Sequence, residues 1–173
     1  MDTHANGFTL VEMLMVMALM AVTTALALPS FNHVLERQRT GTTIHLMTTA
    51  LSSARHAAIK HAKPTQLCPA TDDGHCVDSS DWSRAISLHL LDKSGTAVAT
   101  PLLATAFPAP ESIRIISSAG RKTVRFQADG RAAGSNIKLH VCTRGRVVGE
   151  ITVNNWGRIR STATPGTQTC PSA

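Results

Sequence analysis

A chain of 173 residues holds one domain plus an anchor or tail and excludes two full-sized domains. Apolar residues make up 43% of it, and the formal net charge is +6. Residues 1–110 carry seven Lys/Arg against eight Asp/Glu and residues 111–173 ten against three, so the basic excess sits in the last third and implies an acidic partner, such as nucleic acid or an anionic surface.

The first predicted element is Phe8–Leu28, 21 residues interrupted by a single charge, Glu12. As a helix it rises ~31 Å, enough for one membrane crossing, so 8–28 is expected to be a transmembrane helix. An ordinary secretory signal is cut behind its apolar core. Here the candidate site, Asn6-Gly7-Phe8-Thr9-Leu10-Val11-Glu12, lies in front of it. This string resembles the class III leader of type IV pilins and type II secretion pseudopilins. The resemblance implies that residues 1–7 are a leader, that a prepilin peptidase cuts after Gly7, and that Phe8 becomes the methylated N-terminus. Met1–Gly7 departs from the family's leaders in having no Lys or Arg. A carboxylate inside an apolar helix is costly unless paired, so Glu12 is expected to pair with the N-terminal amine of a neighbouring subunit; the competing reading is a glutamate snorkelling to the headgroups.

Residues 29–62 read as the periplasmic half of the same helix. Pro29 is expected to bend it. Val34, Leu46, Leu51, Ala54, Ala58 and Ile59 are expected to form the apolar stripe, with Arg37, Arg39, Arg55 and Lys60 on the wet face.

From residue 63 to 173 the period changes. Short alternating stretches at Ala85–Leu91, Ser112–Ser117, Thr123–Ala128, Ile137–Thr143, Val147–Val153 and Trp156–Ser161 are separated by turn signals such as Asp129-Gly130, Arg144-Gly145 and Asn154-Asn155. Thr96–Pro110, rich in Ala, Thr and Pro, reads as an irregular loop. The expected class is α+β: a long N-terminal helix on a small antiparallel β domain of two sheets. Four cysteines, 68, 76, 142 and 170, stand outside any Cys-x-x-Cys or zinc spacing and predict two disulfides in an oxidising compartment. Three connectivities are open; Cys68–Cys76 with Cys142–Cys170 is favoured because each bridge stays within one segment.

Leu51-Ser-Ser-Ala-Arg55-His-Ala-Ala-Ile-Lys60, Leu67-Cys68-Pro69, Asp73-Gly74, Cys76, Trp82 and Ile151-Thr-Val-Asn-Asn-Trp156-Gly-Arg-Ile-Arg160 narrow the resemblance to the FimT/GspH-type minor pilins. Gly157-Arg158-Ile159-Arg160 resembles the Gly-Arg-x-Arg motif with which FimT-type members bind DNA. On a strand, Arg158 and Arg160 would share a face ~6.6 Å apart, close to the ~7 Å between successive phosphates, while Ile159 turns inward. Arg144 and Arg146 flank Gly145 as a second prong, and Arg121, Lys122 and Arg131 are further candidates. The competing reading of such charges is protection of an edge strand.

The resemblance implies a single-pass inner-membrane protein, its domain in the periplasm, built into pilus or pseudopilus filaments beside other pilin subunits. It further implies binding of double-stranded DNA through the phosphate backbone, in DNA uptake during natural transformation. The alternative is a structural minor pilin or type II secretion pseudopilin that primes assembly at the filament tip without DNA. The eight histidines are scattered and no nucleophile–base pair stands out, so neither an enzyme nor a metal or cofactor is expected.

Overall fold

Thr9 starts the single helix of the described chain, a computed structural model covering residues 9–172 apart from 93, 107–109, 111, 119–120 and 135. Residues 26–30, 32–33 and 105–106 are described as backbone alone, and the processing positions Gly7 and Phe8 lie outside the described residues. Helix α1 (Leu10–His61) belongs in part to each of two compact units, Met1–Gln38 and Arg39–Ala173.

In the first unit the Thr9 carbonyl accepts from the Met13 N–H at 3.2 Å and its hydroxyl accepts from the Glu12 N–H at 3.3 Å. Thr9-x-x-Glu12 has the spacing of a capping box, and Glu12 sits in the first turn, where the helix dipole favours negative charge. Every described side chain from Thr9 to Ala25 is exposed, the large apolar ones included. A helix that is apolar all round completes its burial elsewhere, in lipid or among other helices. No helix among the described residues is long and apolar enough to cross a membrane. The side chains described there stop at Ala25, whereas the 8–28 segment extends beyond them at both ends. The helix assignment passes through Pro29, and the bend expected there falls among residues described as backbone alone.

In the second unit the helix is amphipathic. Met47, Ala50, Leu51, Ala54 and Ala58 are buried at helical spacing, with Thr43 and Ile44 continuing the stripe. Leu46 and Ile59, expected on this stripe, are exposed, as is Val34 in the first unit. Leu46 and Ile59 each stand one residue, about 100°, away from Met47 and Ala58, which turns them off the sheet. The helix stops where Ala62 takes φ +49°. Lys63 N–H donates to the Ala58 carbonyl and Ala62 N–H to that of Ile59, which closes a Schellman motif, and Pro64 prevents continuation.

Among the described residues eight strands follow: β1 (Thr65–Pro69), β2 (Ala85–Leu90), β3 (Leu103–Ala106), β4 (Ile113–Ser117), β5 (Val124–Phe126), β6 (Ile137–Thr143), β7 (Arg146–Val153) and β8 (Ile159–Ala163). They form two four-stranded antiparallel sheets, ordered β3-β2-β1-β5 and β4-β6-β7-β8. The helix stripe and the inward faces of both sheets make one core around Leu67, Phe126, Leu139 and Ile151. Two strands escaped the sequence pattern. β1 is central and buried at all five positions, so it does not alternate. β3 lies within the Thr96–Pro110 stretch expected to be irregular; it is an edge strand held by its pairing to β2. The disulfides join Cys68 to Cys76 and Cys142 to Cys170.

Candidate nucleic-acid interface

The stretch between β7 and β8 is a turn, not the start of a strand at Trp156. Gly157 N–H donates to the Asn154 carbonyl at 2.9 Å, and Arg158 N–H donates to Asn154 Oδ1 at 2.8 Å. Gly157 has φ +74°, and a Cβ there would run into the Gly130 carbonyl, itself accepting from Arg55 Nε at 3.0 Å. Close approach at Gly157 is therefore to the protein's own backbone. A further bond, from Ala132 N–H to the Asn155 carbonyl at 3.0 Å, pins the turn to the 130–132 loop. In that loop Arg131 bonds Asp129 at 2.6 Å; the Arg131 N–H, then its guanidinium, holds the Asp129 carboxyl below the usual carboxylate range.

Arg158 and Arg160 emerge from this clamp on either side of Ile159. Both are exposed, and Ile159 is half-buried against the core. Among the described residues neither guanidinium has a carboxylate partner. Trp156, 73% exposed, stands at the tip of the same turn.

The other predicted cations are placed elsewhere. Arg144 (φ +51°) and Gly145 (φ +72°) form the two-residue turn between β6 and β7, whose register closes at Thr143 opposite Arg146. That turn lies at the opposite end of β7 from Arg158, roughly 23 Å away at ~3.3 Å per residue. Arg146 donates to the Thr167 carbonyl at 3.3 Å, and the C-terminal tail is fastened beside it by Cys142–Cys170 and by Cys170 N–H donating to the Gly145 carbonyl. Arg144 and Arg146 therefore do not share a patch with Arg158 and Arg160. Arg121 donates to the Ala133 carbonyl at 3.1 Å and Lys122 pairs with Asp78 at 2.7 Å, so both are already engaged. Sequence reasoning missed Lys138. It lies on β6 opposite Thr152 of β7, which in turn lies opposite Arg160, and only the strand register reveals this.

Among the described residues one group has ligand atoms within 4.8 Å of one another, Cys68, Cys76 and His89. Its sulfurs are bonded to each other, and His89 Nδ1 lies 2.9 Å from the Val98 carbonyl and Nε2 2.8 Å from Ser87 Oγ. These groups are satisfied within the protein and do not present a thiolate site.

Comparison with known proteins bears on the whole chain. Residues 43–157 match the family described as Type II transport protein GspH, and residues 2–28 match the prokaryotic N-terminal methylation motif. Among curated proteins none matches the sequence. Among solved structures, the type IV minor pilin FimU of Pseudomonas aeruginosa superposes with a TM-score of 0.60 at 19% identity, over 79% of this chain and 96% of that one. The solution structure of Escherichia coli GspH gives 0.52 at 16% identity, over 76% and 92%. The minor pseudopilin EpsH of the Vibrio cholerae type 2 secretion system gives 0.50 at 12%, over 72% and 97%. At these identities the structures speak for the fold, and the family match covers more than half of the sequence. The chain belongs to the family described as Type II transport protein GspH.

Proposed function

We propose that this protein is a minor pilin that binds duplex DNA through its phosphate backbone, with Arg158 and Arg160 as the principal contacts, and that it serves DNA uptake in natural transformation. In this reading segment 8–28 anchors the chain in the inner membrane after cleavage between Gly7 and Phe8 by prepilin peptidase, and neighbouring pilin subunits cover the exposed apolar helix. The observation that carries the reading is a pair of exposed guanidinium groups on consecutive outward positions, unpaired with any described carboxylate and raised on a turn clamped to Gly130. Cations without internal partners are open to bidentate phosphate contacts, which are independent of sequence and sensitive to salt.

A second reading rests on a different observation, the all-round exposure of Leu10–Val22. It makes the protein a structural subunit or pseudopilin at the filament tip, with no DNA ligand.

The full chain in non-ionic detergent, titrated against labelled duplex DNA across a salt series, separates them. Arg158→Gln/Arg160→Gln is expected to weaken binding by more than tenfold and to lower the salt slope by about 2. Absence of wild-type binding at low salt would leave the structural subunit as the account.

A further inference from the structure

The strand register places charges on the outer face of the second sheet that local sequence does not connect. Lys138, Thr152 and Arg160 lie opposite one another across β6, β7 and β8; His140, Glu150 and Thr162 form the adjacent row. Residues directly opposed on neighbouring strands share a face. The alternate positions Ile137, Leu139, Ile151 and Val153 are buried in the core, so these two rows face outward. Strands stand ~4.8 Å apart, which sets the Lys138 and Arg160 backbones about 10 Å apart, with Arg158 about 6.6 Å from Arg160 along the chain. The three cations thus outline a triangle rather than a line.

Lys138 is 53% exposed and held only loosely: its Nζ lies 3.5 Å from Glu150 Oε2. The other oxygen of Glu150 approaches His140 Nδ1 at 3.3 Å, yet that nitrogen makes no hydrogen bond. Glu150 is therefore a weakly satisfied carboxylate set between the basic row and the rest of the face. Arg114, at the far edge on β4, is taken by Asp81 at 3.2 Å, which limits the basic area to the β6–β8 side.

We propose that the phosphate-binding surface extends from Arg158 and Arg160 across β7 to Lys138, and that Glu150 acts as its brake. The proposal rests on the DNA-binding reading above and adds to it a third contact and an opposing charge. The pair is long, and Lys138 is 53% exposed against 18% for Glu150, so the lysine is the end that exchanges: an incoming phosphate draws Lys138 from Glu150. The Glu150 carboxylate then lies well within a Debye length of that phosphate and opposes it. A contact off the Arg158–Arg160 line suits a duplex lying across the strands better than one extended single strand following β8.

The simplest competing account is a cross-strand ion pair that serves the sheet alone. The two accounts differ in sign. If Lys138 and Glu150 only support each other, removing either changes DNA binding in the same direction or not at all. As a contact and its brake, they move it in opposite directions.

The test uses the full chain in non-ionic detergent with a labelled duplex over a salt series, comparing wild type, Lys138→Gln, Glu150→Gln and Arg158→Gln/Arg160→Gln. Circular dichroism melts confirm that each variant is folded. Lys138→Gln is expected to weaken binding roughly five- to tenfold at ~0.1 M salt and to lower the salt slope by about 1. Glu150→Gln is expected to tighten binding a few-fold at low salt. Shifts in the same direction, or none, while the double arginine variant loses binding, would overturn the extended surface and leave the arginine reading standing. A wild-type chain that binds no duplex overturns both.

Discussion

Gly157 illustrates how much a single position in the turn before β8 decides. Two separate constraints meet there: a φ of +74° and a Gly130 carbonyl occupying the place of a Cβ. Gly145 shares the positive φ but has open space around it. Replacing Gly145 with Ala is therefore expected to cost about 1 kcal/mol, from backbone conformation alone. Gly157→Ala adds a backbone collision that must move the 154–158 turn, and is expected to cost roughly 2–3 kcal/mol in a denaturant melt. Arg158 and Arg160 are still present in that variant, so a loss of DNA affinity alongside the lost stability would tie the contacts to the clamp. Equal effects of the two glycine substitutions would show that the apposition with Gly130 carries no weight. At this scale the sequence was legible for the exposure of Arg158 and Arg160 and the partial burial of Ile159 between them, although Arg158 closes the turn and only Arg160 lies on β8. The partner of Gly157 was not, since Gly130 lies far off in the chain and no local pattern links the two.

Among the elements, the β6–β7 hairpin and the tail that folds back on it show a similar division. Alternation and the Arg144-Gly145 turn made both strands readable, and β7 alternates along its whole length. β1 escaped for the converse reason: a central strand buried on both faces has no alternation to read. The tail is fastened to the hairpin by Cys142–Cys170, whose sequence separation of 28 is much longer than the 8 of Cys68–Cys76. In the chain-entropy account the longer loop contributes about 3–4 kcal/mol and the shorter about 2–3. Cys142→Ser/Cys170→Ser is thus expected to lower unfolding stability more than Cys68→Ser/Cys76→Ser, in side-by-side denaturant melts. The reverse order would place the dominant restraint in the 68–76 loop, through strain or residual structure that the entropy account ignores.

For the whole molecule, the two compact units have opposite surface chemistries. The described side chains of the helix in the first unit are exposed and apolar from Leu10 to Val22, apart from Glu12, while the second unit encloses its own core and carries the basic excess. Glu12 lies in the first turn with its N–H satisfied by Thr9, so its removal leaves the second unit's core untouched. Glu12→Ala is expected to abolish recovery of the protein in sheared filaments, while its disulfide-bonded domain keeps wild-type protease resistance. Normal incorporation would remove Glu12 from the assembly contact, and a protease-sensitive domain would point to a folding role instead.

The sequence by itself determined what depends on neighbours along the chain. The motif string matched over residues 2–28, the apolar segment, the helix–strand division, most strands and the exposure of Arg158 and Arg160 follow from local chemistry and periodicity. Tertiary structure alone decided which cations share a surface. It separated Arg144 and Arg146 from Arg158 by the length of β7, engaged Lys122 with Asp78, and set Lys138 and Glu150 beside Arg160. The physical reason is that register across three strands is set by burying one face of every strand in a common core, a condition imposed by the whole domain rather than by any segment of it.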